Sequence, residues 1–154
     1  MSPENAIGYL LQHVSSVLAR QSDQILQEQL GIGMSQFKLL MILQHSPHIR
    51  QRQLADHLGQ TEASISRQIK ILHDKGLLTT RVNPENKRER VTMPTPKGIR
   101  MTEAARDRLA RYNEPMLETL TDKQRKQLAE TLGQLHAWSC SPGKLIACDH
   151  PFKI

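Results

Sequence analysis

Residues 51 to 76 hold the feature that most limits how this chain can fold: two amphipathic stretches of unequal length meet at Gly59-Gln60. The first runs from about Gln51 to Leu58, is anchored by Leu54 and Leu58, and is stopped by Gly59. The second starts at Thr61, a residue type whose hydroxyl caps helices, and runs from about Glu62 to Lys75 before Gly76 ends it. Its apolar positions Ile65, Ile69 and Leu72 fall at i, i+4 and i+7, on one side of a helix. Next, Leu77 to Val82 carries β-favouring residues, Asn83-Pro84-Glu85-Asn86-Lys87 is a turn cluster, and Arg88 to Met93 can return as a second strand. Two short helices followed by a hairpin with a long polar tip make a winged helix-turn-helix.

The flanking segments are helical. Pro3 to about Leu30 reads as one long helix, with Ser2 as cap and Ile7, Leu11, Val14, Leu18, Ile25 and Leu26 on one stripe. Gly31 and Gly33 end it. Ser35 is expected to cap a second helix carrying Phe37, Leu40 and Leu43 on one face, which the stretch Gln44 to His48 breaks. Thr95-Pro96 opens a helix expected to reach about Tyr112, with a bend near Pro115. Thr121 to Gln124 forms a capping box ahead of a last helix marked by Leu128, Leu132 and Leu135. Beyond Trp138 the sequence reads as an irregular tail. The fold class is therefore mainly α with a small β-hairpin wing.

Composition narrows the class further. Aromatic residues make up only 3% of the 154, which argues against an antiparallel β sandwich. No run of about 18 apolar residues is present, so no membrane span is expected. The start Met1-Ser2-Pro3-Glu4-Asn5 lacks the layout of a signal peptide, and the expected compartment is the cytoplasm. Lys and Arg number 21 against 15 Asp and Glu, and the formal net charge of +6 suits a polyanionic partner. Many soluble proteins carry as much.

A helix that reads DNA must offer short polar and basic side chains to base edges while its other face docks on the domain. Ser64, Arg67 and Gln68 lie at i, i+3 and i+4, opposite Ile65 and Ile69. Arg67 and Gln68 have the chemistry for bidentate contacts to guanine and adenine. Ser66 and Lys70 flank that face within reach of phosphates, and Thr61 stands at its start. Arg81, Lys87, Arg88 and Arg90 cluster on the hairpin, where a basic wing can follow phosphates or enter a narrow minor groove. Taken singly, each pattern also fits a solvated amphipathic helix or a charged loop, and Glu85 and Glu89 offset part of the wing charge.

The segment Leu54 to Gly98 resembles the DNA-binding core of the MarR (multiple antibiotic resistance regulator) family. Leu54-Ala55 and Leu58-Gly59 match the first helix of the pair, and Ile65-Ser66-Arg67 with Leu72 match the recognition helix. Gly76-Leu77-Leu78 and Arg81 match the entry to the wing, Asn86-Lys87-Arg88 its tip, and Thr95 with Gly98 the start of the following helix. With the outer helices the resemblance covers about residues 5 to 138. Three positions depart from the pattern. Asn86 stands where the family has aspartate, Pro94 where it has leucine, and Arg50 where it has a capping threonine or serine. The helix after Arg50 is expected to be less well capped.

The resemblance implies a homodimer on double-stranded DNA, with residues 1–34 and 99–138 as the helical dimerisation region, 35–98 as the winged helix-turn-helix and 139–154 as a tail. It also implies a ligand-responsive repressor on an inverted-repeat operator, released by a small aromatic or anionic effector. His13, Met41, His45 and Met101 lie on elements that can border such a pocket. No cofactor or metal is expected. Cys140 and Cys148 are too few for a zinc site or a disulfide framework, and Cys148-Asp149-His150 is a poor spacing for one. Nothing suggests an enzyme: there is no phosphate-binding Gly-rich loop and no nucleophile elbow. The competing readings are a winged-helix protein-interaction module, which would favour an acidic or apolar face, and a non-specific architectural DNA binder.

Overall fold

The computed structural model describes residues 2–88 and 90–139. Helix α1 spans Pro3–Leu30, α2 Met34–His45, α3 Gln51–Leu58 and α4 Glu62–Asp74. Strands β1 (Leu78–Val82) and β2 (Arg90–Pro94) follow, then α5 (Pro96–Glu118) and α6 (Asp122–Ser139). The strands pair antiparallel with Leu78 opposite Pro94, Thr80 opposite Thr92 and Val82 opposite Arg90.

Local chemistry sets most of these boundaries. The Ser2 hydroxyl accepts the Asn5 N–H at 3.3 Å, and Thr61 Oγ1 accepts the Ser64 N–H at 3.1 Å. Thr95 Oγ1 accepts the Gly98 N–H at 3.1 Å, and Thr121 exchanges bonds with Gln124 in a capping box. Gly59 closes α3 at φ 61°, a left-handed conformation that costs a glycine little.

Three expectations need correcting or refining. Ser35 does not cap α2: Gly33 is the N-cap, and helix α2 begins one residue before Ser35. The acceptors come from elsewhere, since Asp23 Oδ1 on α1 takes the Met34 N–H at 2.7 Å and Gln36 Oε1 takes the Gly33 N–H at 3.3 Å. At α3, Arg50 gives no side-chain cap, but Gln53 Oε1 accepts the Arg50 N–H at 3.1 Å and relieves one orphan donor. Helix α5 does not stop near Tyr112. It runs through Pro115 to Glu118. Proline removes the donor to the residue 111 carbonyl, but Arg111 is exposed there and water can replace the bond.

The core is built around α2, whose Phe37, Leu39, Leu40, Ile42 and Leu43 are all buried. Leu26 of α1, Leu54 of α3, Ile65 and Leu72 of α4, Leu78 of β1 and Ala105 of α5 close around it. The stripe on α1 therefore divides in two. Leu26 is fully buried, whereas Ile7, Leu11 and Val14 are 55%, 42% and 45% exposed. Helix α6 has no buried residue, and its Leu128, Leu132 and Leu135 stand open. These apolar faces do not pack on one another within the chain.

The base of the wing is tied to both neighbouring helices. The Thr95 N–H donates to the Leu77 carbonyl at 3.0 Å, and Thr95 Oγ1 donates to the Gly76 carbonyl at 2.7 Å. Lys97 Nζ reaches the carbonyl of Lys75 at 2.9 Å, and Lys75 Nζ in turn donates to the carbonyl of Gly31 at the end of α1.

Candidate nucleic-acid interface

Helix α4 is amphipathic by construction. Ile65 and Leu72 are fully buried, so the opposite side must face solvent. That side carries Ala63, Ser66, Arg67 and Lys70, all exposed, with Thr61 exposed at its start. Ser66 and Lys70 are one helical turn apart and share a face, with Arg67 beside them.

Ser64 and Gln68 lie elsewhere. Both are only partly exposed, and both turn toward Gln60 in the link between α3 and α4. Gln60 Oε1 accepts the Ser64 hydroxyl at 3.1 Å and the Gln68 amide at 2.7 Å. The Gln60 amide nitrogen donates to Ser35 Oγ on α2. The expected face of Ser64, Arg67 and Gln68 is thus split, with Arg67 outward and the other two inward. Gln60 is the member of this site that the helical pattern does not mark. The available signal was a long amide side chain just before the capping Thr61, within a turn or two of two further polar side chains.

The wing tip is held by two asparagines. Asn83 Oδ1 accepts the Glu85 N–H at 3.0 Å, and Asn86 Oδ1 accepts the Arg88 N–H at 3.2 Å. Both are local turns of the kind asparagine favours. Asn86 therefore shapes the tip without the charge of an aspartate. Pro94 ends β2 opposite the first residue of β1, where a missing donor interrupts no further pairing.

The cationic residues of the wing are exposed but occupy two faces. Side chains alternate along a strand, and paired residues share a face. Arg90 therefore lies on the side of Thr80 and Thr92, while Arg81 lies on the other with Val91. The Thr80 and Thr92 hydroxyls are 3.2 Å apart. With Arg88, Arg90, Arg50 and Ile69 of α4 they line a cleft of about 750 Å³ that, among the described residues, no carboxylate borders. Lys87 stays at the exposed tip.

The four residues named for an effector are spread over three helices, α1, α2 and α5. His13 stacks on Tyr9 with ring centres 5.7 Å apart, and it lines a cavity of about 600 Å³ between α1 and α5 with Val14, Leu18, Arg111 and Tyr112. Met41 and Met101 pack against the core, and His45 Nδ1 bonds the Met41 carbonyl at 2.9 Å. Among the described residues no cluster of three or more His, Cys, Asp or Glu could hold a metal ion, and no helix is long and apolar enough to cross a membrane. Cys140, Cys148, Asp149 and His150 lie outside the described residues with the rest of 140–154, while Ser139, expected to begin the tail, closes α6 instead.

Comparison with known proteins agrees with this architecture. Residues 32–90 match the model of the MarR family. A Bacillus subtilis (strain 168) protein named "Uncharacterized HTH-type transcriptional regulator YdgJ" is 28% identical over 134 residues, covering 87% of this chain and 79% of that one. The Mycobacterium tuberculosis MarR family protein Rv2887, solved with salicylic acid, superposes with a TM-score of 0.73 at 24% identity, covering 88% of this chain and 97% of that one. A Staphylococcus aureus MepR mutant bound to an oligodeoxyribonucleotide superposes with a TM-score of 0.58 at 23% identity, covering 86% and 96%.

Proposed function

We propose that this chain, whose residues 32–90 match the MarR family model, is a DNA-binding transcription regulator and not an enzyme, a repressor that occupies an inverted-repeat operator as a homodimer and releases it to a small effector. The observation that carries this reading is the orientation of α4. Its apolar side is locked in the core through Ile65 and Leu72, and its opposite side presents Ser66, Arg67 and Lys70 next to a basic wing.

In this reading Arg67 contacts a guanine edge and Ser66 an adjacent base, while Thr61 and Lys70 meet phosphates. Arg81, Lys87, Arg88 and Arg90 carry the wing along the backbone, and Ser64 and Gln68 support the helix from behind. Residues 35–98 form the DNA-binding unit, and residues 1–34 and 99–138 the dimerisation region. The bare apolar faces of α1 and α6 support pairing, since large exposed apolar patches mark interfaces. A dimer carries about +12, twice the chain's +6, and presents two reading helices to half-sites roughly 10 base pairs apart.

The effector is a small aromatic or anionic molecule. The cavity between α1 and α5 supports this, with an apolar wall from Val14 and Leu18 and polar groups on His13 and Arg111. An effector that binds better to a dimer with the wrong spacing of reading helices moves the population off DNA.

The test is a titration against DNA from upstream of the protein's own gene and against a random duplex of equal length, at two salt concentrations. A preference of about 10³ or more for the upstream DNA is expected. Equal, salt-labile binding to both duplexes, and to any candidate operator, identifies a non-specific architectural binder instead.

A further inference from the structure

The amide of Gln60 is engaged at both ends. Its oxygen uses both lone pairs, on the Ser64 hydroxyl and the Gln68 amide, and its nitrogen is given to Ser35 on α2. Ser35 follows Met34, whose N–H is fixed by Asp23 of α1. The chain of contacts runs from the first long helix, through the start of α2, into the link before the recognition helix. At its far end Gln68 has its amide nitrogen committed to Gln60, and its own Oε1 is buried without a hydrogen-bond partner. A bidentate contact to adenine needs both ends of that amide free.

We propose that Gln60 is a positioning residue that decides which side chains of α4 meet the bases. It holds Ser64 and Gln68 inward and leaves Ser66, Arg67 and Lys70 on the outward face. Turning Gln68 toward DNA would take from Gln60 Oε1 the shorter of its two hydrogen bonds, the 2.7 Å one, and leave Ser64 as the donor that remains. Chemically competent residues on a recognition helix are thus withheld from readout by a residue outside it. This inference rests on the reading of α4 as the DNA-reading helix.

The test is selection of preferred sites from randomised duplexes by the full-length protein, with circular dichroism as a check of folding. Gln68→Ala in the otherwise native chain is expected to select the same sequence as the native protein. Gln60→Ala is expected to gain an adenine preference of about tenfold at one position per half-site, as the freed Gln68 reaches a base. That gain should vanish in the double variant Gln60→Ala/Gln68→Ala. Gln60→Glu should keep the native preference, because its carboxylate still accepts from Ser64 and Gln68 and the Ser35 hydroxyl can turn to donate.

Loss of about tenfold at one base in Gln68→Ala alone makes Gln68 a direct reader and overturns the proposal. So does an unchanged preference in well-folded Gln60→Ala. If Gln60→Ala does not fold, Gln68→Ala and Gln60→Glu decide the matter. If the native protein selects no sequence at all, the reading of α4 itself fails, and that outcome is seen before any variant is compared.

Discussion

The carbonyl oxygen of Leu77 fills the space into which a side chain on residue 98 would grow. A Cβ built on Gly98 overlaps that oxygen, and it stands 3.1 Å from the Leu77 carbonyl carbon and 3.2 Å from the Pro94 Cβ. The obstructing atoms are mostly backbone and cannot swing away. The same oxygen accepts the Thr95 N–H, so helix α5 is seated directly on the entry to the wing. Gly98→Ala should therefore lower stability by about 1–3 kcal/mol, the usual cost of forcing atoms into a filled site. Urea unfolding measures this as a lower midpoint with little change in slope. An unshifted midpoint would mean that the seat is loose.

Arg67→Ala should weaken binding to the selected operator by about 1–3 kcal/mol and relax sequence choice at one position per half-site. The side chain is exposed on the outward face of α4, so stability should hardly change. The comparison is between operator and random duplex. Equal losses on both would move Arg67 from the bases to the backbone.

Arg88→Ala removes a cation from the wing side of the cleft. Its loss should lower affinity almost uniformly across sequences and reduce the slope of log affinity against log salt by about 1. A titration series over several salt concentrations reads this directly. A constant slope would take Arg88 off the phosphates.

Leu128 and Leu132 are 44% and 40% exposed on a helix that has no buried residue. Leu128→Glu with Leu132→Glu should leave the helical signal intact and halve the sedimenting mass, because the change falls on an open face. Operator affinity should fall with it, since each half-site then binds alone. A dimer that survives both changes would place the interface off α6.

Helix ends and strand positions were legible in the sequence because the signals for them are local. Ser2, Thr61, Thr95 and Thr121 all act within three residues of themselves, so their type and spacing suffice. Ser35 misled because the acceptor for the start of α2 lies on Asp23, eleven residues earlier and on another helix. Pro115 misled because proline disfavours a helix interior but cannot forbid it where the freed carbonyl meets solvent. In the candidate site the chemistry of each residue was readable, and its direction only in part. The pattern of Ile65 and Leu72 fixes which side of α4 is inward. It cannot show that Gln60 draws the borderline positions Ser64 and Gln68 to that side, since this depends on where α2 puts Ser35.

Helix α1 is unbroken from Pro3 to Leu30, which at 1.5 Å per residue is about 42 Å of rod. One end is clamped by Leu26 in the core and by the bond from Asp23 to Met34 of α2, while the other carries Ile7, Leu11 and Val14 in the open. A rod of this kind passes a push along its length rather than absorbing it. The clamped end is bonded to Met34, next to Ser35 and so one hydrogen bond from Gln60. On the proposed pairing through these open ends, the two rods would act as the handles of a caliper, and their spread would set the gap between the two reading helices.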